Sequence, residues 1–99
     1  SQFKRVMRWQ LVFTQQFNRR AAKFLQRRPE LEPQYAKTLE LLTLNPHHPS
    51  LRLHALAGKL TGLHSVSINL KYRLTLEMLI TEQEIVLINV GDHVEVHTR

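Results

Sequence analysis

Six histidines fall within 99 residues, and two of them, His54 and His93, flank glycine-marked turns at the ends of strand-like segments. Imidazole changes charge near neutral pH, so one ring can take a proton and another can give one. Arg73, inside the run "YRL", supplies a planar cation that grips two phosphate oxygens at once. A base, an acid and a cation are what RNA cleavage through its own 2′-hydroxyl requires. The hydroxyl loses a proton as it attacks the phosphorus, the departing 5′-oxygen gains one, and the pentavalent phosphate needs charge stabilisation. Acid–base help is worth about 10²–10⁴-fold in rate. Taken singly, each histidine is as well explained as a structural residue. His47 and His48, in the proline-bounded "NPHHPS", read as exposed loop residues. His93 and His97 stand four apart, the spacing of two metal ligands on a helix. Asp92 and Glu95 are the nearby carboxylates and no HExxH or cysteine pattern accompanies them, so no metal site is expected.

Those residues need a scaffold, and the length allows one domain, residues 1–99, near the lower limit for a self-sufficient core. With no cysteine there is no disulfide and no thiolate zinc site, a composition that fits a reducing cytoplasm. The opening "SQFKRVMRWQ" lacks the apolar run of a signal peptide, and no stretch approaches the roughly 18 uninterrupted apolar residues of a membrane span. A soluble, cytoplasmic protein is expected, without a membrane partner. Because Ser1 is not an initiator methionine, the chain is expected to be processed or to begin upstream. Fourteen Lys and Arg against eight Asp and Glu give a net charge of +6. Such a field attracts polyanions, so nucleic acid or an acidic protein is the expected partner. The cations cluster at Lys4, Arg5 and Arg8, at Arg19, Arg20, Lys23, Arg27 and Arg28, and at Arg52, Lys59, Lys71 and Arg73.

The hydrophobic period changes twice along the chain. "WQLVFT" (9–14) alternates as a strand. Phe17, Ala21, Phe24 and Leu25 then recur at helical spacing over 15–28, and Pro29 ends that helix. Pro33 suits the first turn of a second helix carrying Tyr35, Leu39 and Leu42, closed before Asn45-Pro46. Beyond the loop the period is two. Leu51 and Leu53 alternate with Arg52 and His54, and Gly58 and Gly62 bracket a turn around Lys59. Val66, Ile68 and Leu70 oppose Ser65, Ser67 and Asn69, while Leu74, Leu76, Met78 and Ile80 oppose Arg73, Thr75 and Glu77. "TEQE" is a polar turn, and "EIVLINVG", apolar on both faces, is a central strand. The order β-α-α-β-β-β argues α+β: a twisted antiparallel sheet with two N-terminal helices on one face. The other face should offer Arg73, Thr75, Glu77 and the Ser65-Ser67-Asn69 row to solvent as a binding floor.

That order, together with "LHALAGKLTGLHSV", "KYRLTLEML" and "IVLINVGDHVEV", resembles the RelE/ParE superfamily of toxins from type II toxin–antitoxin systems. The likeness spans nearly the whole chain and is most specific in the L-x-G-x-x-x-G turn, the Tyr-Arg-Leu strand and the terminal V-G-x-H segment. It is nearest to the YafQ-like and RelE-like mRNA interferases, which cut messenger RNA in the ribosomal A site. The resemblance implies His54 as general base, Arg73 as stabiliser of the phosphate transition state with Lys71 assisting, and His93 or His97 as acid. His97 stands where relatives carry Tyr or Phe. Lys59, Arg52 and Lys4 are then phosphate contacts that position RNA. Some relatives bear Lys or His where this strand reads Ser65, Ser67 and Asn69. Lys71 and His64 are the cations placed to compensate, with Ser67 against the RNA. No cofactor is implied. The implied partners are a cognate antitoxin, mRNA and the ribosome. Two other readings share the fold: a ParE-like inhibitor of DNA gyrase, and a catalytically silent binding member.

Overall fold

The structure, a computed structural model, describes residues 8–92. Lys4, His93 and His97 lie outside the described residues. The strand expected at 9–14 is β1 (Gln10–Phe13), which runs directly into helix α1 (Gln15–Arg27). Thr14 makes that joint: its Oγ1 accepts from the Phe17 amide at 3.1 Å, capping the helix, and donates to the Leu87 carbonyl at 3.1 Å. A short turn of 3₁₀ helix at Pro29–Leu31 leads into α2 (Glu32–Leu44), and another at Pro49–Leu51 follows it. Strands β2 (His54–Ala55), β3 (His64–Ser67), β4 (Arg73–Leu79) and β5 (Glu84–Gly91) complete the sheet, in the order β1-β5-β4-β3-β2.

The α+β order read from the sequence holds, with one parallel element. β1 lies parallel to β5, whereas β2, β3, β4 and β5 pair antiparallel. β5 is therefore interior, as its two apolar faces required. One face of the sheet carries Val66, Leu74, Leu76, Ile85, Leu87 and Val90 into a core with Phe17, Ala21, Phe24, Tyr35 and Leu42 of the helices. α1 carries Phe17 and Phe24 seven residues apart, two helical turns, so both rings fall on the stripe facing β5.

Leu87 and Val90 are three residues apart yet both point into this core, which a regular strand forbids. A bulge permits it. Thr75 pairs with Asn89 and Leu76 with Leu87, so Ile88 is the extra residue. The shift aims Asn89 at the opposite face, beside Thr75, and Arg20 Nη1 donates to the freed Ile88 carbonyl at 3.4 Å.

Two details depart from the sequence reading. β3 ends at Ser67 because the Asn69 side chain accepts from the Lys71 and Tyr72 amides at 2.9 and 2.8 Å, closing a tight turn. Leu70, expected on the core face, is consequently 90% exposed at the turn's tip. The centre of the polar row is not open either: Ser65 and Thr75 are each 1% exposed and Asn89 is 5%. For Ser65 the cause is Arg73, whose guanidinium is bonded to its hydroxyl.

Candidate active site

Cross-strand register brings the candidate residues together. His54 pairs with Ser65, Ser65 with Thr75, and Thr75 with Asn89, so these four share the face opposite the helices. Ser67 pairs with Arg73 in the next row of the same face. His54 and Arg73, nineteen residues apart in sequence, thus become neighbours across β3.

The guanidinium of Arg73 is held at two points. Nε donates to Ser65 Oγ at 2.6 Å, and Nη2 donates to His54 Nδ1 at 3.2 Å. Ser65 is buried and fixed by its strand, so it aims the fork, leaving the remaining donors for an incoming anion. Partial burial, and then the nearby Arg52, lower the Arg73 pKa from its ordinary value. It remains a cation, since an arginine does not give up its proton in a protein. Two guanidiniums gathered this way repel each other until an anion comes between them, which is the electrostatics of a phosphate site.

His54 Nδ1 has a second neighbour, the Arg52 carbonyl oxygen, also at 3.2 Å. The two contacts select opposite tautomers. Arginine can only donate, so it calls for a lone pair on Nδ1; the carbonyl can only accept, so it calls for a hydrogen there. Arg52 presents that carbonyl from a left-handed conformation, φ 50° and ψ 49°, a backbone costly for a side chain with a Cβ. With the proton on Nδ1, the exposed Nε2 has its lone pair available as a base.

The other expected residues are placed differently. Lys71 is exposed on the β3–β4 turn, its ammonium 5.4 Å from the centre of the Tyr72 ring. The opposite side of that cluster is closed by Arg28, stacked 4.6 Å from Tyr72 and 4.8 Å from Phe24, so Tyr72 tethers the start of β4 to the end of α1. Lys59 is exposed on the Gly58–Leu60 turn, where Gly58 and Gly62 take positive φ of 65° and 97°. His64 is not brought to the site. It pairs with Ala55 and Leu76, on the helix side of the sheet, and its Nδ1 is enclosed without a hydrogen-bond partner among the described residues. Its alternation with Val66 and Ile68 was the signal for that placement. The residue missed as functional is Ser65, which reads in sequence as one member of an open polar row. Among the described residues no cluster of three or more metal-ligating side chains forms, and no helix is long and apolar enough to cross a membrane.

No protein-family model matches the chain, and no curated protein matches its sequence. Solved structures do resemble it. YafQ from Escherichia coli strain BL21(DE3) superposes with a TM-score of 0.71 at 17% identity, over 87% of this chain and 94% of that one. A YoeB/ParE toxin from Agrobacterium tumefaciens gives 0.68 at 19%, over 85% and 98%. The YoeB–YefM complex from Staphylococcus aureus gives 0.67 at 21%, over 87% and 98%. At these identities the likeness establishes the architecture, and with it the resemblance read from the sequence at that level: the chain has the fold of the RelE/ParE-type toxins.

Proposed function

We propose that this chain is the toxin of a type II toxin–antitoxin pair and an mRNA endoribonuclease that acts on the translating ribosome. The observation that carries the reading is the contact of His54 with Arg73 on one sheet face, with Ser65 aiming the guanidinium and the Arg52 carbonyl ready to hold a proton on Nδ1. The toxin fold supports it.

In this mechanism the scissile phosphate draws Arg73 toward its non-bridging oxygens, releasing His54 Nδ1. His54 then changes tautomer by exchange with solvent, Nε2 giving up its hydrogen to water and Nδ1 taking one that donates to the Arg52 carbonyl, so that Nε2 accepts the 2′-hydroxyl proton as that oxygen attacks phosphorus. The bond to the 5′-oxygen breaks, and that oxygen takes a proton from His93 or His97. The products are a 2′,3′-cyclic phosphate and a 5′-hydroxyl. Arg73 stabilises the added negative charge in the transition state, with Lys71 assisting. Arg52, Lys59 and Lys4, with Ser67, position the RNA, and their share of the affinity falls with salt. His64, on the helix side of the sheet, takes no part in this RNA contact. An acidic antitoxin segment is the partner that would screen these cations.

The test is expression of the chain in growing bacteria, with mRNA 5′ ends mapped and gyrase–DNA complexes counted. Cleaved mRNA with intact DNA supports the nuclease. Intact mRNA with accumulating gyrase–DNA complexes would replace it with a gyrase inhibitor.

A further inference from the structure

Helix α1 and its C-terminal cap carry Arg19, Arg20, Lys23, Arg27 and Arg28 and no acidic residue. These five cations recur over about 14 Å of helix, at 1.5 Å per residue. Arg19, Lys23 and Arg27 stand four apart, a spacing at which like charges face one another on a helix and repel. The row lies apart from the phosphate site, because α1 packs on the face of the sheet opposite Arg73. Between the row and the end of β5 is a hollow of about 300 Å³, lined by Arg20, Lys23, Arg27 and Arg28 and by Asn89 and Val90. A second hollow, of about 260 Å³, shares Arg20 and Lys23 with it and adds Arg19. Among the described residues no carboxylate lines either one. Two of the cations are held in place: Arg20 Nη1 donates to the Ile88 carbonyl at 3.4 Å, and Arg28 is stacked on Phe24 and Tyr72. Arg19, Lys23 and Arg27 are exposed and make no hydrogen bond or ion pair with any described residue.

We propose that these two hollows together bind a free oligophosphate, a phosphoanhydride chain that brings several negative charges into one recess. A guanidinium grips phosphate as a two-pronged donor and an ammonium as a point charge, and both kinds line the hollows. The anion relieves the repulsion along the Arg19–Lys23–Arg27 row. A recess near the lower limit of small-molecule sites favours a short, dense anion over a nucleic-acid strand, which spaces its charges one per nucleotide along a groove. Inorganic polyphosphate and the tail of a nucleoside triphosphate share this chemistry. Binding here is independent of RNA cleavage, which uses the other face of the sheet.

The full-length chain is titrated at constant ionic strength with inorganic tripolyphosphate, ATP and a single-stranded DNA oligonucleotide, following backbone amides by NMR. Tripolyphosphate should shift the amides of residues 19, 23, 27, 89 and 90. Lys23→Ala and Arg27→Ala should each weaken it by roughly five- to tenfold, a charged hydrogen bond discounted for exposure to water. Lys37→Ala removes the same unit of charge from α2, outside the hollows, and should change binding by less than about twofold. All three side chains are exposed, so the fold is kept. ATP binding as tightly as tripolyphosphate would support the nucleotide tail as ligand, and ATP binding weakly the inorganic chain. An equal loss from Lys37→Ala, shifts at residues 52, 59 and 71 instead, or an oligonucleotide that binds these hollows more tightly per phosphate would overturn the inference. Oligophosphate binding by a chain that cuts no RNA would keep the hollows and sink the nuclease. Cleavage without such binding would do the reverse.

Discussion

Ser65→Ala removes one oxygen from beneath the guanidinium and leaves every other atom of the site. The lost contact is a 2.6 Å bond to a charged donor, a class worth about 1.5–3 kcal/mol. Arg73 is only half-buried, so Nε can turn to water and the fold should lose about 1 kcal/mol, a fall in Tm of roughly 4–8 °C for a chain this size. Catalysis should suffer more, because an unaimed guanidinium no longer waits where charge develops. If the whole bond acts in the transition state, the rate falls by roughly ten- to a hundredfold at about 1.4 kcal/mol per decade. Single-turnover cleavage of mRNA on programmed ribosomes separates the two effects. The turnover constant should drop while KM stays close to the parent value, the signature of an interaction made only in the transition state. Ser65→Thr keeps the hydroxyl and should stay nearer the parent rate. A folded Ser65→Ala that cleaves within twofold of the parent would refute the argument that Ser65 positions Arg73.

Thr14→Ala should cost about 1–2 kcal/mol, because one hydroxyl both caps α1 and bonds the Leu87 carbonyl; urea denaturation would measure it. Burial pushes the Tyr35 hydroxyl up to about 12, so the folded state keeps its proton after the unfolded chain begins to lose it near the ordinary value of 10. That contribution is fully present below pH 10 and is lost as pH rises to about 12, and Tyr35→Phe should flatten the decline in a pH series of melting curves. Arg52→Gly removes a left-handed conformation costing about 1–2 kcal/mol but adds the chain entropy of glycine, about 0.5–1 kcal/mol. Stability should therefore stay within about 1 kcal/mol of the parent by calorimetry, while RNA affinity falls and becomes less salt-dependent.

Much of this arrangement can be read from hydrophobic period alone. The change from a spacing of three and four in Phe17–Leu25 to strict alternation in Arg73–Met78 marks the passage from helix to sheet, and Pro29 and Pro33 mark the break between helices. His54 and Arg73 are legible as candidates because each sits at a strand end or turn. Their contact is not, since it depends on a two-residue strand and on the β2–β3–β4 register, neither of which leaves a periodic trace. The Ile88 bulge is hidden for a related reason: "EIVLINVG" is apolar on both faces, so the parity change that separates Asn89 from Leu87 alters no pattern. Serine alternating with valine reads as a wet face, and only the fold-back of Arg73 reveals that Ser65 is covered. Leu70 shows local chemistry overriding alternation, as the Asn69 side chain takes two backbone amides and ends the strand before it.

The ends of the cut RNA report the chemistry of His54 and Arg73 directly. Purified parent protein on translating ribosomes should yield a 2′,3′-cyclic phosphate and a 5′-hydroxyl, and His54→Ala should slow the reaction by about 10²–10⁴-fold while the protein still folds. A 5′-phosphate at the cut, or His54→Ala cleaving at the parent rate, would contradict it.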